Sequence, residues 1–490
     1  MKFLIDTNIV LPLEPATPAD IASNTTLANE FYRLAGNSGN AIYVHPAIQH
    51  DFSRDRDENR VRVRRAAIAK FNELRPTPPS SLLAGMILGT PPHGTNDWVD
   101  NQLIDALAAD IVDYLVTEDN GIHSKARRAG LSQRVLTLSD AVAVLRDLFD
   151  TSPPPLPSVE HAVAYQIDPS DPILDSLRAD YGPSFDPWFA KCRNDHRIAY
   201  LIRNPETNRI AALCILKSEP ELPDGRRMKA LKLCTFKVAD EATGNRYGEL
   251  LLKAVLDYVD QNQYDSTYFT VFPKLSRLVD FAQDFGFQES GKTSIGELVM
   301  VKELRATIED RDALSAFDLH IKYGPRMTSF QGNRTYVVPI KPQYHAVLFP
   351  ECEKQLTLSI NGRPCGNSIK KAYLCNSNST SIQKGDNLLF YRSKDAQSAT
   401  VLGIVENAMR SQLPDEIARH VGKRTVYSYD NIQSMCGTEV LAINFRLVRT
   451  LAKPLPMSDL QSGGVFTRAP QSITEVRAKG VEWLRNQIAM

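Results

Sequence analysis

Phe3-Leu4-Ile5-Asp6-Thr7-Asn8 is a short apolar run that ends in a carboxylate, and its reading decides the first fold in the chain. Consecutive apolar residues of this kind predict a strand buried on both faces, as in a parallel sheet. Far along the chain, Asp100-Asn101-Gln102-Leu103-Ile104 opens a helical pattern with a second carboxylate. Leu115-Val116-Thr117-Glu118-Asp119 is another apolar strand ending in acid. Carboxylates at the C-terminal ends of adjacent parallel strands, and at nearby helix starts, converge on one crevice. Acids gathered in that way repel one another unless a cation lies between them. Hard oxygen donors select Mg²⁺ or Mn²⁺.

These spaced pieces, the Asp-Thr-Asn after a strand, the Asp heading Leu103-Ile104-Asp105-Ala106-Leu107-Ala108, and Val-Thr-x-Asp, resemble a PIN domain, the metal-dependent nuclease fold of many bacterial toxins. The resemblance covers residues 1–150. The family's fourth acid follows a strand in the middle of the domain. Here Ile42-Tyr43-Val44-His45-Pro46-Ala47-Ile48 is that strand and helix start, and Asp51 stands where the family usually carries Glu. The resemblance implies a Mg- or Mn-dependent ribonuclease with Asp6, Asp51, Asp100 and Asp119 as catalytic ligands of one or two ions. Asp97, one helical turn before Asp100 on the same face, shares or replaces its role. Asn8 and Thr117 would orient water or a carboxylate behind the ligands.

After Asp51 come Arg54, Arg56, Arg60, Arg62, Arg64, Arg65 and Lys70 on a predicted helix. They read equally as a solvated face balanced by Asp55, Asp57 and Glu58, or as a surface that steers phosphates toward the acids. Lys125, Arg127 and Arg128 follow Asp119. They are placed to meet a nucleic-acid backbone, or simply to complement a helix C-terminus before Gly130. Asn96 is the expected cap of the helix that starts at Asp97 or Trp98. Thr151-Ser152-Pro153-Pro154-Pro155-Leu156-Pro157 is a stiff linker.

Residues 158–305 turn from helical patterns into strands. Arg197–Ile202 and Ile210–Leu216 flank a hairpin turn, and Leu231–Val238 is a further strand. Gly244-Asn245-Arg246-Tyr247-Gly248 then leads into the helix Glu249–Leu256, a loop that offers free backbone N–H groups at a helix start. A strand Thr267–Pro273 and a helix ending in Phe285-Gly286-Phe287 follow. That order resembles the GNAT family of acyl-CoA-dependent N-acetyltransferases, an α+β fold. The family's loop reads Arg/Gln-x-x-Gly-x-Gly/Ala; Thr243-Gly244-Asn245-Arg246-Tyr247-Gly248 departs from it at the first and fourth positions. The resemblance implies acetyl-CoA as cofactor, its pantetheine arm against Phe236 and Val238, and its phosphates on Gly244, Asn245, Arg246, Tyr247 and Gly248. Glu206 and Asp240 are candidate bases, each also readable as a surface carboxylate.

Residues 306–490 begin after a charged connector. Thr335–Ile340 and Tyr344–Phe349 read as strands, and a Lys384-Gly385-Asp386 turn feeds Asn387–Arg392 and then Ala399–Glu406. A strand from Glu439 to Thr450 and a helix near Thr474–Gln487 follow. The pattern resembles the PUA-like superfamily, with its ASCH and EVE domains, whose β-barrels often bind RNA or modified bases. Tyr391, Arg392 and Lys394 are candidate stacking and phosphate groups, with burial of Tyr391 in the barrel as the competing reading.

The whole chain is thus expected to be multidomain α/β and α+β: a PIN-like parallel sheet, a GNAT-like domain and a PUA-like barrel. Its 490 residues suit that number of domains. The net charge of zero excludes an all-over basic nucleic-acid binder but not local patches. The 7 cysteines include no CxxC pair, which argues against a structural zinc site and fits a reducing cytoplasm. No run of about 18 apolar residues predicts a membrane span. The combined resemblances imply RNA, tRNA first, as substrate, in a toxin or defence effector. An antitoxin or regulatory protein and a second copy of the chain stay open as partners. The alternative makes the acetyltransferase the working part, acting on charged tRNA, protein or a small amine, with the PIN fold regulatory.

Overall fold

The computed structural model describes residues 1–13, 24–52, 58–75, 87–149, 158–205, 207–244, 246–352 and 368–488. Arg54, Asp55, Arg56, Asp57, the linker 151–157, Glu206 and Asn245 lie outside the described residues, as do the side chains of Glu58 and Arg60. The protein is a multidomain α/β chain with one parallel and two mixed sheets, in two compact units. One unit joins Met1–Thr151 to Ser411–Lys423 and Tyr427–Gly437; the other holds Ser152–Arg410, Arg424–Val426 and Thr438–Met490. No helix among the described residues is long and apolar enough to cross a membrane.

In the first unit β1 (Lys2–Ile5), β2 (Ala41–Val44), β3 (Asn72–Glu73), β4 (Tyr114–Val116) and β5 (Val135–Leu136) form a parallel sheet in the order β3-β2-β1-β4-β5. The apolar run is central: Phe3, Leu4 and Ile5 are each 0% exposed, and every such burial contributes about 1.5–3 kcal/mol. Phe3 packs on Phe31 and stacks on Tyr114 at a centroid distance of 5.4 Å. The strand order reverses between β1 and β4. A reversal in a parallel sheet opens a crevice at the carboxyl ends of the two strands.

Two helices from late in the sequence, Pro414–Val421 and Tyr429–Met435, complete this unit. Arg419 pairs with Asp113 at 3.1 Å, and Lys423 with Asp140 at 2.6 Å. The buried Tyr114 hydroxyl donates to the Ala418 carbonyl at 3.4 Å, and Tyr429 packs on Phe149. Burial pushes the Asp140 carboxyl up, but Lys423 and Thr137 outweigh it and hold it below its ordinary value.

In the second unit β6 (Glu160–Val163), β7 (Ile198–Arg203), β8 (Ile210–Glu221), β9 (Arg227–Val238), β10 (Ser266–Val271), β11 (Gln288–Lys292) and β12 (Leu298–Glu303) form a sheet ordered β11-β12-β10-β9-β8-β7-β6. From β6 to β9 the strands run antiparallel; β10 is parallel to β9. The helix Tyr247–Gln261 makes the crossover between those two and buries Leu251, Leu252, Val255 and Leu256.

A further mixed sheet orders β14 (Lys370–Cys375), β17 (Val440–Pro456), β16 (Ser398–Ser411), β15 (Asn387–Arg392), β13 (Thr335–Ile340) and β18 (Thr474–Glu475), with β14 and β18 at its edges. β13 and β15 pair in parallel. Of Tyr344–Phe349, expected as a strand, Tyr344–Leu348 belongs instead to the helix Pro342–Leu348, and Phe349 caps it. Pro342 explains the difference, because its fixed φ and missing N–H suit the first helical position. The last helix is Ala478–Gln487, and Thr474–Glu475 before it is strand. Tyr391 is 1% exposed in an apolar cluster, so its ring cannot stack on a ligand from solvent. Arg392 is committed to Asp395 at 2.7 Å.

Lys423→Met leaves the Asp140 carboxylate without its cation. A loss of about 2 kcal/mol is expected. Limited proteolysis of the full chain should then cut residues 1–149 faster than in the wild type, and equal rates would contradict the packing role of Lys423.

Candidate functional site

Asp6 follows β1 directly and is 6% exposed at the β1/β4 reversal. Its carboxylate accepts from the Thr7 backbone N–H at 2.6 Å, from Asn8 Nδ2 at 2.7 Å and from the Thr117 hydroxyl at 2.7 Å. Asn8 Nδ2 also reaches Thr117 Oγ1 at 3.1 Å, and its Oδ1 accepts from the Glu118 N–H at 3.1 Å. Asn8 and Thr117 therefore hold the ends of β1 and β4 together and aim the carboxylate. Burial pushes the Asp6 carboxyl up to about 6; the Thr117 and Thr7 hydrogen bonds oppose the rise, and Asp100 and Asp51 add to it.

The other acids arrive on separate elements. Asp51 lies on the short helix Gln49–Phe52 and accepts from the Thr7 hydroxyl at 2.9 Å. Asp119 caps the helix Asn120–Arg128, accepting from the Gly121 N–H at 2.5 Å, and its own N–H donates to Thr117 Oγ1 at 3.0 Å. Asp100 and Asp97 lie on the helix Asn96–Ala108, which is capped by Thr95 rather than by Asn96. The Thr95 hydroxyl accepts from the Trp98 N–H at 3.2 Å. Burial raises the Asp100 carboxyl, Lys125 opposes the rise, and Asp119 and Asp97 add to it.

Lys125 gives the sequence reading something it missed. Its ammonium lies 2.8 Å from Asp100 and 2.9 Å from Asp97. It is a counter-ion within the acidic crevice, not a group aimed at an external backbone. The Lys125 hydrogen bond holds Asp97 below its ordinary carboxylate range. The donor set, all carboxylate oxygen, fits Mg²⁺ or Mn²⁺ by chemistry. Among the described residues, however, no group of three or more His, Cys, Asp or Glu is placed to hold a metal ion.

A second candidate site lies in the other unit. β10 pairs with β9 only from Ser266 to Tyr268, against Ala230 to Lys232, and the strands then part. A cavity of about 340 Å³ opens along the parting, lined by Leu233–Phe236 and Phe269–Phe272, with Tyr181, Trp188 and Glu297. Tyr181 donates to Glu297 Oε1 at 2.6 Å, and burial with that carboxylate raises its phenol. Burial likewise raises the Cys234 thiol. Nothing in the sequence singled out Tyr181, Trp188 or Glu297, since they come from unrelated segments.

Phe236, among the residues expected at a pantetheine arm, lines this cavity. A Cβ on Gly248 would meet Val238 and Phe236 at 3.7 and 3.8 Å, so the start of the helix lies close against the end of β9. Gly244 has φ +90° and Arg246 φ +59°, and Tyr247 starts the helix. The Arg246 guanidinium turns inward, onto Glu249 at 2.7 Å and the Lys370 carbonyl at 3.0 Å, so a phosphate contact at this position falls to the backbone N–H, as the resemblance implies, and not to the side chain. Asp240 pairs with Lys237 at 3.6 Å and is not among the cavity-lining residues.

No sequence profile of a known family matches the chain, and no curated protein matches it. Solved structures resemble parts of it. ASCH from Zymomonas mobilis is 14% identical and covers 31% of this chain and 94% of its own, with a TM-score of 0.25. A GNAT-family acetyltransferase from Elizabethkingia anophelis with acetyl-CoA bound is 16% identical, covering 30% of this chain and 98% of its own, with a TM-score of 0.23. An acetyltransferase of the GNAT family from Staphylococcus aureus is 13% identical, covering 30% and 100%, with a TM-score of 0.25.

An acid whose folded pKa lies above its unfolded value contributes its stability below the unfolded value and loses it as pH rises through the folded one. For Asp6 that window runs from its ordinary 3.8 to about 6. Without divalent ions, wild type should lose about 2–3 kcal/mol relative to Asp6→Asn between pH 4 and pH 7. Urea unfolding across that range measures it, and parallel pH profiles would refute the burial of this charge.

Proposed function

We propose that the first unit is a divalent-metal-dependent endoribonuclease. The observation that carries this reading is the Asp6 carboxylate, buried at the β1/β4 reversal and oriented by Thr7, Asn8 and Thr117, with Asp51 and Asp100 near enough to raise its pKa. A buried carboxylate under repulsion from its neighbours gains from a cation. To hold Mg²⁺ or Mn²⁺, Asp6 and Asp100, with Asp51 and Asp119, would have to close up from where they stand here, and the ion would have to displace the Lys125 ammonium from Asp100. When bound, such an ion supplies a Lewis acid and makes water more acidic. The chain's own residues do the positioning. Asn8 and Thr117 hold Asp6, Thr7 donates to Asp51, and Lys125 opposes the rise that burial gives the Asp100 carboxyl when no other cation is near. Exposed Arg62 and Arg65 on the helix Glu58–Ile68 supply attraction for a phosphate chain. RNA, tRNA first, is the substrate class, in keeping with a toxin or defence effector held by an antitoxin.

The parting of β9 and β10 favours a second activity, acyl transfer from acetyl-CoA to an amine. Beyond Lys232 the β10-facing edge of β9 has no strand partner among the described pairings. An extended thioester arm carrying amides can satisfy such an edge as an added strand would. The Tyr181–Glu297 pair, at the same cavity, is the candidate proton-handling group for that chemistry.

Incubation of the full chain with total RNA and Mn²⁺ should give cleavage that EDTA abolishes. Asp6→Ala should lower it at least about a hundredfold, since even outer-shell changes at metal sites cost 10–100-fold. Acetyl-CoA binding by calorimetry should survive Asp6→Ala and fail in Gly248→Glu. Cleavage by Asp6→Ala at the wild-type rate would end the nuclease reading.

A further inference from the structure

Three aromatic rings stand together beside the carboxylate crevice. His50 and His93 have centroids 5.1 Å apart at 89°, and His50 and Trp98 are 5.3 Å apart at 83°. His93 lies 4.3 Å from Trp98 at 44°. The rings come from the elements that bring the acids. His50 immediately precedes Asp51 on the helix Gln49–Phe52, and Trp98 lies between Asp97 and Asp100 in the helix Asn96–Ala108. His93 belongs to the turn before the Thr95 cap. Gly94 there has φ +76°, and a Cβ on it would come within 3.4 Å of His50 Nδ1, so the turn lies close against the imidazole. His93 is exposed, and His50 and Trp98 are half-buried.

The cluster therefore lies at the water boundary rather than in the core. The helix Gln49–Phe52 also packs against the helix Glu58–Ile68, where Arg62 and Arg65 are exposed. Aromatic faces beside guanidinium groups are the combination that holds single strands: bases stack on the rings and phosphates meet the cations.

We infer that His50, His93 and Trp98 form a stacking platform for an unpaired nucleobase next to the acidic crevice. The inference rests on the nuclease reading for the identity of its neighbour, but base binding is separable from cleavage. Its consequence is a preference for single-stranded segments, because both faces of a base inside a duplex are already stacked. RNA and DNA present the same base faces, so the platform itself does not distinguish them.

The test is fluorescence anisotropy of labelled oligonucleotides with the full chain in EDTA, where cleavage does not compete. Trp98→Ala should weaken binding of a single-stranded oligonucleotide about tenfold, and exposed His93→Ala severalfold. Trp98→Phe should stay within about twofold of wild type, because it keeps a ring. Binding of blunt duplex RNA should be the same for all, and the loss on RNA and DNA single strands should be equal. Unchanged melting of His93→Ala and Trp98→Phe separates stacking from folding. The platform is overturned if Trp98→Ala and His93→Ala both bind single strands as wild type does, if duplex binding falls equally, or if the loss is confined to RNA. Absent Mn²⁺-dependent cleavage with these binding losses intact would sink the nuclease reading alone.

Discussion

A carboxylate buried where a parallel sheet reverses its strand order is the constraint on which the first unit turns. Taking Asp6 out of water raises its proton affinity, and neighbouring acids raise it further. Such a group is tolerated because three donors converge on it: the Thr7 N–H, Asn8 and Thr117. Those donors come from the ends of β1 and β4, so the same bonds that satisfy the charge also fasten the two strands at their carboxyl ends. Lys125 completes the balance from the far side by neutralising Asp100 and Asp97. The crevice thus carries an internal cation that any external one must displace.

The second unit solves a related problem differently. Asp284 receives Lys370 and, at 3.1 Å, Arg446; Glu406 receives Arg424 at 2.6 Å. Glu249 accepts from the Lys370 backbone N–H at 2.7 Å and pairs with Arg246. Burial works to raise Glu406, but Arg424 and Arg446 hold it far below its ordinary value. Lys302, buried and lowered to about 7, donates to the carbonyls of Ile321 and Lys322 at a helix end. The ion pairs link the helices Tyr247–Gln261 and Ser276–Asp284 to the sheet that contains β14, β16 and β17. Removing Asp284 would take the ion-pair partner from the buried Lys370 ammonium. The Arg246 side chain is recruited into that network, which leaves only the backbone of the glycine loop to meet a phosphate.

Two kinds of cleft therefore coexist in one chain. One is polar, formed where strand ends meet at a sheet reversal. The other is mostly apolar, formed where two parallel strands stop pairing. Each arises from backbone topology before any side chain is considered, and side chains then set the chemistry: acids and a lysine in the first, aromatic rings with a Tyr–Glu pair in the second.

The sequence by itself determined the local elements of the first crevice. Phe3-Leu4-Ile5 reads as a doubly buried strand because nothing polar interrupts it, and Asp6-Thr7-Asn8 and Thr117-Glu118-Asp119 follow their strands directly. The Gly244–Gly248 loop and its helix were legible for the same reason, since turn and helix-start preferences act over a few residues. Short-range rules also misled: Tyr344–Phe349 is rich in residues that suit a strand, yet Pro342 starts a helix there, and Thr95 took the cap expected of Asn96. Only the tertiary structure decided that Lys125 lies on Asp100, that Arg246 reaches the Lys370 carbonyl, that Tyr181 meets Glu297, and that residues 411–423 complete a unit begun at Met1. Those pairings join residues far apart in the chain, and their energies depend on how whole helices and strands pack, which no local pattern of residues encodes.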